Sequence, residues 1–333
     1  MANETITSTD HALRVSITKG ADVTNFFTRK TNQEFIDWFN ENCANKGFWQ
    51  DPLRGDFRLG TTPEVRKRFK IIWDQFQVMF DAEKINLAQF ICLQSIFINE
   101  MGASLKPVTE KVGRAGHPGL AYAFDAISGV KISYNQSPSK TAFELFNDPL
   151  FIKTHGQLAQ ADKLKQTTDL RWKSTVYPQD AFPTSTDPVE SGFIREADFF
   201  KFRGRGFIQT TWRSNYILLI NYIQGYTGTN AKILRYKLKW TGLKPDDVAT
   251  ISSNDDWDDL FQNTDLVIPC AGVAAHNKAS GKYLSLSSDL NAILGTGPGS
   301  IYRMGRKISG SAKYATTFQG RVIQIMMALN KPV

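Results

Sequence analysis

A mainly α-helical fold with little sheet is what this chain predicts, and three features carry that expectation. Apolar residues recur at helical spacing, in Phe35, Trp38 and Phe39 and again in Phe69, Ile72, Trp73, Phe76 and Phe80. A longer segment, Leu87 to about Met101, is apolar on nearly every side and belongs in the centre of a domain. Strand-like alternation is confined to Leu13-Arg14-Val15-Ser16-Ile17.

Taken in order, residues 1–30 read as a polar, Thr-rich lead, either disordered or an edge strand. A helical pattern starts from Asn32, and Gly47 to Gly60 reads as a loop. Thr62-Pro63-Glu64 is a helix start, with a capping residue and a proline in the first turn, and that helix runs to Phe80. The apolar helix from Leu87 ends at Gly102, with Pro107 in the loop beyond. Residues 111–195 are rich in Gly, Pro, Ser, Thr and Asp. Short helices fit at Thr141–Phe146 and His155–Lys165, and an expanded loop spans 165–195. Further helices are expected at Tyr216–Tyr226, just after Lys244, at Pro269–His276, at Ser288–Leu294 and at about Thr317–Leu329. Residues 1–60 form an N-terminal extension or small accessory region before a main domain at 61–333.

The chain has 333 residues, 41% hydrophobic and 22% charged, enough to bury a sizeable core. Its net charge of +8 and pI of about 9.2 suit an anionic partner such as nucleic acid, anionic lipid or bacterial cell wall. The basic residues are scattered apart from Arg66-Lys67-Arg68, and no nucleic-acid motif accompanies them. Cys43, Cys92 and Cys270 are odd in number and far apart, with no CxxC or Cys/His cluster to suggest a metal, and Cys92 within its apolar run reads as a buried small hydrophobe. The fold is not expected to need disulfides, which fits synthesis in a reducing cytoplasm, and neither a secretory leader nor a run of transmembrane length is visible.

The most informative stretch is Phe202-Arg203-Gly204-Arg205-Gly206-Phe207-Ile208-Gln209-Thr210-Thr211-Trp212-Arg213-Ser214-Asn215-Tyr216. Gly204 and Gly206 permit a tight turn and close approach of another group. Arg205 between them can make a planar, multidentate pair with a carboxylate. Gln209, Thr211 and Asn215 offer the amides and hydroxyls that bind sugar hydroxyls and acetamides. Elsewhere, Glu100 ends the central apolar helix, where burial would raise its pKa and keep it protonated, as a general acid requires.

The stretch closely resembles the signature of family-19 glycoside hydrolases, the chitinases and phage endolysins that carry GRG-[apolar]-IQ-[LT]-T-x-R-x-NY. Glu100-Met101-Gly102-Ala103-Ser104-Leu105 is similar to the segment holding that family's acid, with Asn99 and Met101 where His and Ser often stand. The resemblance spans roughly residues 62–110 and 141–329. It implies a lysozyme-like, two-lobed helical fold with a minor β element around a substrate cleft. It also implies Glu100 as general acid and, for an inverting reaction, a second carboxylate roughly 6.5–9.5 Å away. Glu110 lies at the spacing of phage-type members, and Asp198, beside the GRG segment, is its rival or a substrate-orienting residue. Arg205 would orient a catalytic carboxylate or brace the cleft floor. Tyr134 and Ser137, with Ser133, are similar to a cleft loop that holds water. Asn277 and Arg306, with Ser309, fall in segments similar to the family's C-terminal part.

The expected function is hydrolysis of β-1,4 bonds between amino sugars of bacterial peptidoglycan. No cofactor, metal, nucleic acid or membrane insertion is expected, the protein acting as a monomer on the cell wall. A chitinase, a lytic transglycosylase, and an inactive wall-binding or virion structural protein are the alternatives.

Overall fold

The computed structural model describes residues 11–50, 56–80, 84–110, 202–252 and 254–330. The described residues are mainly helical, in the order β1 (Ser16–Ile17), α1 (Gly20–Thr31), α2 (Phe35–Asn42), α3 (Pro63–Asp74), α4 (Phe76–Phe80), β2 (Ile85–Asn86), α5 (Leu87–Met101), β3 (Val108–Thr109), β4 (Arg205–Gly206), α6 (Arg213–Gln224), α7 (Ala231–Lys239), α8 (Pro245–Ile251), α9 (Asn254–Gln262), α10 (Val267–Ser280), α11 (Leu290–Leu294), α12 (Ile301–Ser309) and α13 (Ala312–Leu329). Short 3-10 turns lie at Gly47–Trp49 and Gly102–Ser104. The chain divides into two compact units. The first joins Met1–Pro107 to Asp265–Val333, and the second is Val108–Thr264.

In the first unit α5 is the central helix. Its start is fixed by a reciprocal cap: Asn86 Oδ1 accepts from the Gln89 N–H at 2.8 Å, and Gln89 Oε1 accepts from the Asn86 N–H at 2.9 Å. It stops at Gly102, whose φ of 64° is outside helical range. From Phe90 to Ile98 every residue is buried, so neighbours cover every side of that stretch. The Phe90 ring lies 4.5 Å from Trp73, 5.6 Å from Phe35 and 6.1 Å from Phe27. Trp73 Nε1 finds its buried partner in Gln94 Oε1 at 3.0 Å. β1 and β2 pair antiparallel, Ile17 opposite Ile85. α12 and α13 pack closely because Gly305 has no side chain; a Cβ there would lie 2.9 Å from Ala315 Cα. Residues before 61 belong to this unit, with Phe27, Phe35, Phe39 and Trp49 all in its core.

In the second unit β3 and β4 pair antiparallel, Val108 opposite Gly206 and Thr109 opposite Arg205. Its core is aromatic: Tyr216 lies 5.0 Å from Phe202 and 4.9 Å from Trp257.

Several expectations are corrected. Residues 20–31 are no polar lead but the amphipathic α1, which buries Val23, Phe26 and Phe27 at i, i+3 and i+4. Asp22 ties down its first turn, accepting from the Thr18 N–H and hydroxyl at 2.8 Å each and from the Lys19 N–H at 3.1 Å. The strand pattern at 13–17 contracts to Ser16–Ile17. The helix begun at Pro63 breaks at Gln75, giving α3 and α4. α6, α10 and α13 begin earlier than the patterns indicated, and α7, α9 and α12 were not anticipated as helices. The expected elements at 141–146, 155–165 and 165–195 lie outside the described residues.

Candidate active site

In the second unit the GRG stretch makes a tight loop. The backbone of Arg205 and Thr210 exchanges two hydrogen bonds, Arg205 N–H to Thr210 O at 3.1 Å and Thr210 N–H to Arg205 O at 2.9 Å. Gly206 at φ 81° and Gln209 at φ 48° turn the chain between them. The Gln209 amide donates to Val108 O at 3.1 Å and Gly206 O at 3.2 Å. The Thr211 hydroxyl donates to Gln209 O, and the Asn215 amide to Thr211 O, each at 2.7 Å. The amide donors of Gln209 and Asn215 thus hold the loop in shape.

The carboxyl of Glu110 meets this loop at Gly204. The Glu110 N–H donates to Gly204 O at 2.8 Å, and the Gly204 N–H donates to Glu110 Oε2 at 3.1 Å. A Cβ on residue 204 would lie 2.6 Å from Gln209 Oε1, 3.1 Å from Glu110 Oε2 and 3.1 Å from Thr211 Oγ1. Only glycine lets these three oxygens converge on that backbone. Burial pushes the Glu110 carboxyl above its ordinary pKa, against the opposing pull of the Gly204 N–H and the Arg203 charge.

Beneath the loop lies a buried ionic cluster. Arg205, fully buried, donates from Nε to Asp258 Oδ1 at 2.7 Å and from Nη1 to the Tyr216 hydroxyl at 2.8 Å. Arg203 donates to the other Asp258 oxygen at 3.0 Å, and the Tyr216 hydroxyl donates to Arg203 O at 2.7 Å. Asp258 therefore joins both arginines. Arg213 is likewise buried, with Asp246 Oδ1 accepting from its Nε at 3.1 Å.

Glu100 lies in the first unit, on the last turn of α5, half-buried. Asn99 Nδ2 donates to Glu100 Oε1 at 2.8 Å, and Asn99 Oδ1 accepts from Arg321 Nη1 at 2.7 Å. That second bond fixes which end of the amide faces Glu100. Arg321 is itself buried, donating to Phe48 O at 2.9 Å with its guanidinium 5.0 Å from the Trp49 ring and 4.5 Å from Phe57. The Tyr283 hydroxyl is pushed to a raised pKa by burial first, then by Tyr314 and by the charge of Glu100.

On α10, His276 is buried with its ring 6.2 Å from that of Tyr283. Among the described residues neither His276 Nε2 nor Asn277 Oδ1 has a hydrogen-bond partner. Arg306 donates to Gly310 O at 2.7 Å and Ser309 to Gly305 O at 3.2 Å, so both close the end of α12. Tyr134, Ser137 and Asp198 lie outside the described residues.

Sequence reasoning passed over Arg203, Asp258 and Arg321. Arg321 had a signal: it is a charge within the apolar stripe of α13, beside Phe318, Val322 and Ile325. Asp258 had none, being one of several acids in Asn254–Gln262.

Among the described residues no cluster of His, Cys, Asp and Glu is placed to hold a metal ion, and no helix is long and apolar enough to cross a membrane. The three cysteines are free and buried. Comparison with known proteins finds no matching family model, no matching curated protein and no matching solved structure.

Proposed function

We propose that the chain is a lysozyme-like glycoside hydrolase cutting β-1,4 bonds between amino sugars of bacterial peptidoglycan. Glu100 is the general acid and Glu110 the second carboxylate, which activates water. The reading rests on one observation above the others: the GRG loop holds a half-buried carboxyl with raised proton affinity, at a glycine where Gln209 and Thr211 also place oxygens. A carboxylate base gains strength as its pKa approaches working pH, provided it remains ionised. The Asn99 amide facing Glu100, braced by Arg321, suits a carboxyl that must keep one orientation. The basic net charge suits an anionic wall polymer.

The test is clearing of purified peptidoglycan beside cleavage of chitin oligomers, by the parent, Glu100→Gln and Glu110→Gln. The parent clears peptidoglycan, and each substitution lowers the rate by about 10²-fold or more at unchanged melting temperature. Preferential cleavage of chitin oligomers replaces the substrate. Near-normal clearing by both variants removes the catalytic assignment.

A further inference from the structure

The helix α7 buries one face, and among the described residues nothing covers the other. Ile233 and Tyr236 face the core, with Trp240 just beyond. On the opposite side Leu234 is 40% exposed and Leu238, one turn later, 76% exposed. Leu243 follows in the next turn at 38% exposed. Such leucines in a row are costly to leave in water and do nothing for the core behind them.

Their neighbours are cationic. Arg235 and Lys239 are exposed beside the two leucines, and Lys244 beside Leu243. No Asp or Glu falls between Tyr226 and Pro245. The Arg235 guanidinium and the Lys239 ammonium lie over the Tyr236 ring, at 5.1 and 5.8 Å, and Arg235 also donates to the Tyr236 hydroxyl at 3.4 Å, while both residues remain exposed to solvent on their other side. Lys239 also approaches Asp256 at 4.0 Å, at one edge of the face. Lys237 turns inward to donate to Tyr226 O at 2.7 Å.

We propose that this face of α7 docks on the surface of an anionic lipid bilayer. A bilayer surface supplies both things the face asks for, negative headgroups for Arg235, Lys239 and Lys244 and an apolar layer beneath them for Leu234, Leu238 and Leu243. A soluble polyanion neutralises the cations but leaves the leucines wet. A second copy, docked α7 to α7, sets like charges against each other. With nine residues, α7 is far shorter than the hydrocarbon core, so it lies in the interface. The proposal is independent of the glycosidase reading.

The test is co-sedimentation of the full chain with vesicles of phosphatidylcholine alone and of phosphatidylcholine with about a third phosphatidylglycerol. The chain binds the anionic vesicles and not the neutral ones. The double substitution Leu234→Ser/Leu238→Ser weakens that binding about tenfold or more. Arg235→Glu/Lys239→Glu weakens it at least as much, and the leucine variant keeps the parent melting curve because its altered side chains are exposed. Absence of binding overturns the proposal. So does equal binding by the leucine variant, which marks a polyanion site, and so does a dimer in sedimentation velocity that the leucine substitutions dissolve without vesicle binding.

Discussion

Burial raises the proton affinity of Glu110, while the Gly204 N–H and Arg203 act to lower it. The folded carboxyl therefore holds its proton more tightly than the unfolded one. Its contribution to stability is fully present below the ordinary value of 4.5 and is lost as pH rises through the raised value. Glu110→Gln removes that loss, so the variant melts no lower than the parent at pH 7, and any advantage shrinks towards pH 4. Melting curves at both values check this, and a variant that loses stability only at pH 7 contradicts it. His276 shows the opposite sign. Burial, aided by Lys282, lowers its pKa from 6.5 to about 4, so stability is lost as pH falls through that interval, by about 3 kcal/mol in all. Replacing it by Gln flattens the acid limb of the stability curve, and an unchanged limb contradicts the assignment. Asp258→Asn leaves Arg203 and Arg205 buried against a neutral partner and costs about 3 kcal/mol, the low end for a buried pair because Asp258 is itself partly exposed, read as a lower denaturation midpoint. The GRG loop and Glu100 were visible in the sequence because they are local strings. The Asp258 partner was not, since 53 residues separate it from Arg205 and only tertiary packing joins them.

The elements differ in how plainly the sequence announced them. α5 and the start of α3 were legible, because an apolar run with a glycine stop and a proline at the first helical position have local causes. The first turn of α1 was hidden, since its cap is Asp22 reaching back to Thr18 and Lys19 rather than a Ser or Thr ahead of the helix. α9 was hidden for a different reason: Asn254–Gln262 is acid-rich, and only Trp257, Leu260 and Phe261 reveal its buried face. The central position of α5 makes it the most sensitive element. Phe90→Ala empties a space bordered by Phe27, Phe35 and Trp73 and costs about 3–5 kcal/mol in denaturant unfolding. A cost below about 1 kcal/mol contradicts the central placement.

For the whole molecule, mainly helical character was readable from periodicity, and the division into two units was not. The first unit is discontinuous in sequence, joining residues 1–107 to 265–333, and only tertiary packing brings those two stretches together. The net charge of +8 acts at this scale. If the proposed function holds, clearing of intact peptidoglycan is expected to fall as salt rises from low ionic strength, because screening weakens attraction to an anionic polymer, while turnover of short neutral glycans changes little. Equal salt sensitivity on the two substrates removes the role of the charge.

If Glu100 and Glu110 act as proposed, as acid and base of a hydrolysis, the oxygen of the attacking water must appear in the product. Purified peptidoglycan is digested by the parent and by Glu110→Gln in oxygen-18 water, and the products are weighed by mass spectrometry. The parent is expected to leave one heavy oxygen at each new reducing end, and the variant to turn over about 10²-fold or more slowly. Products carrying a 1,6-anhydro ring and no heavy oxygen, or an undiminished rate with Glu110→Gln, contradict the proposed roles.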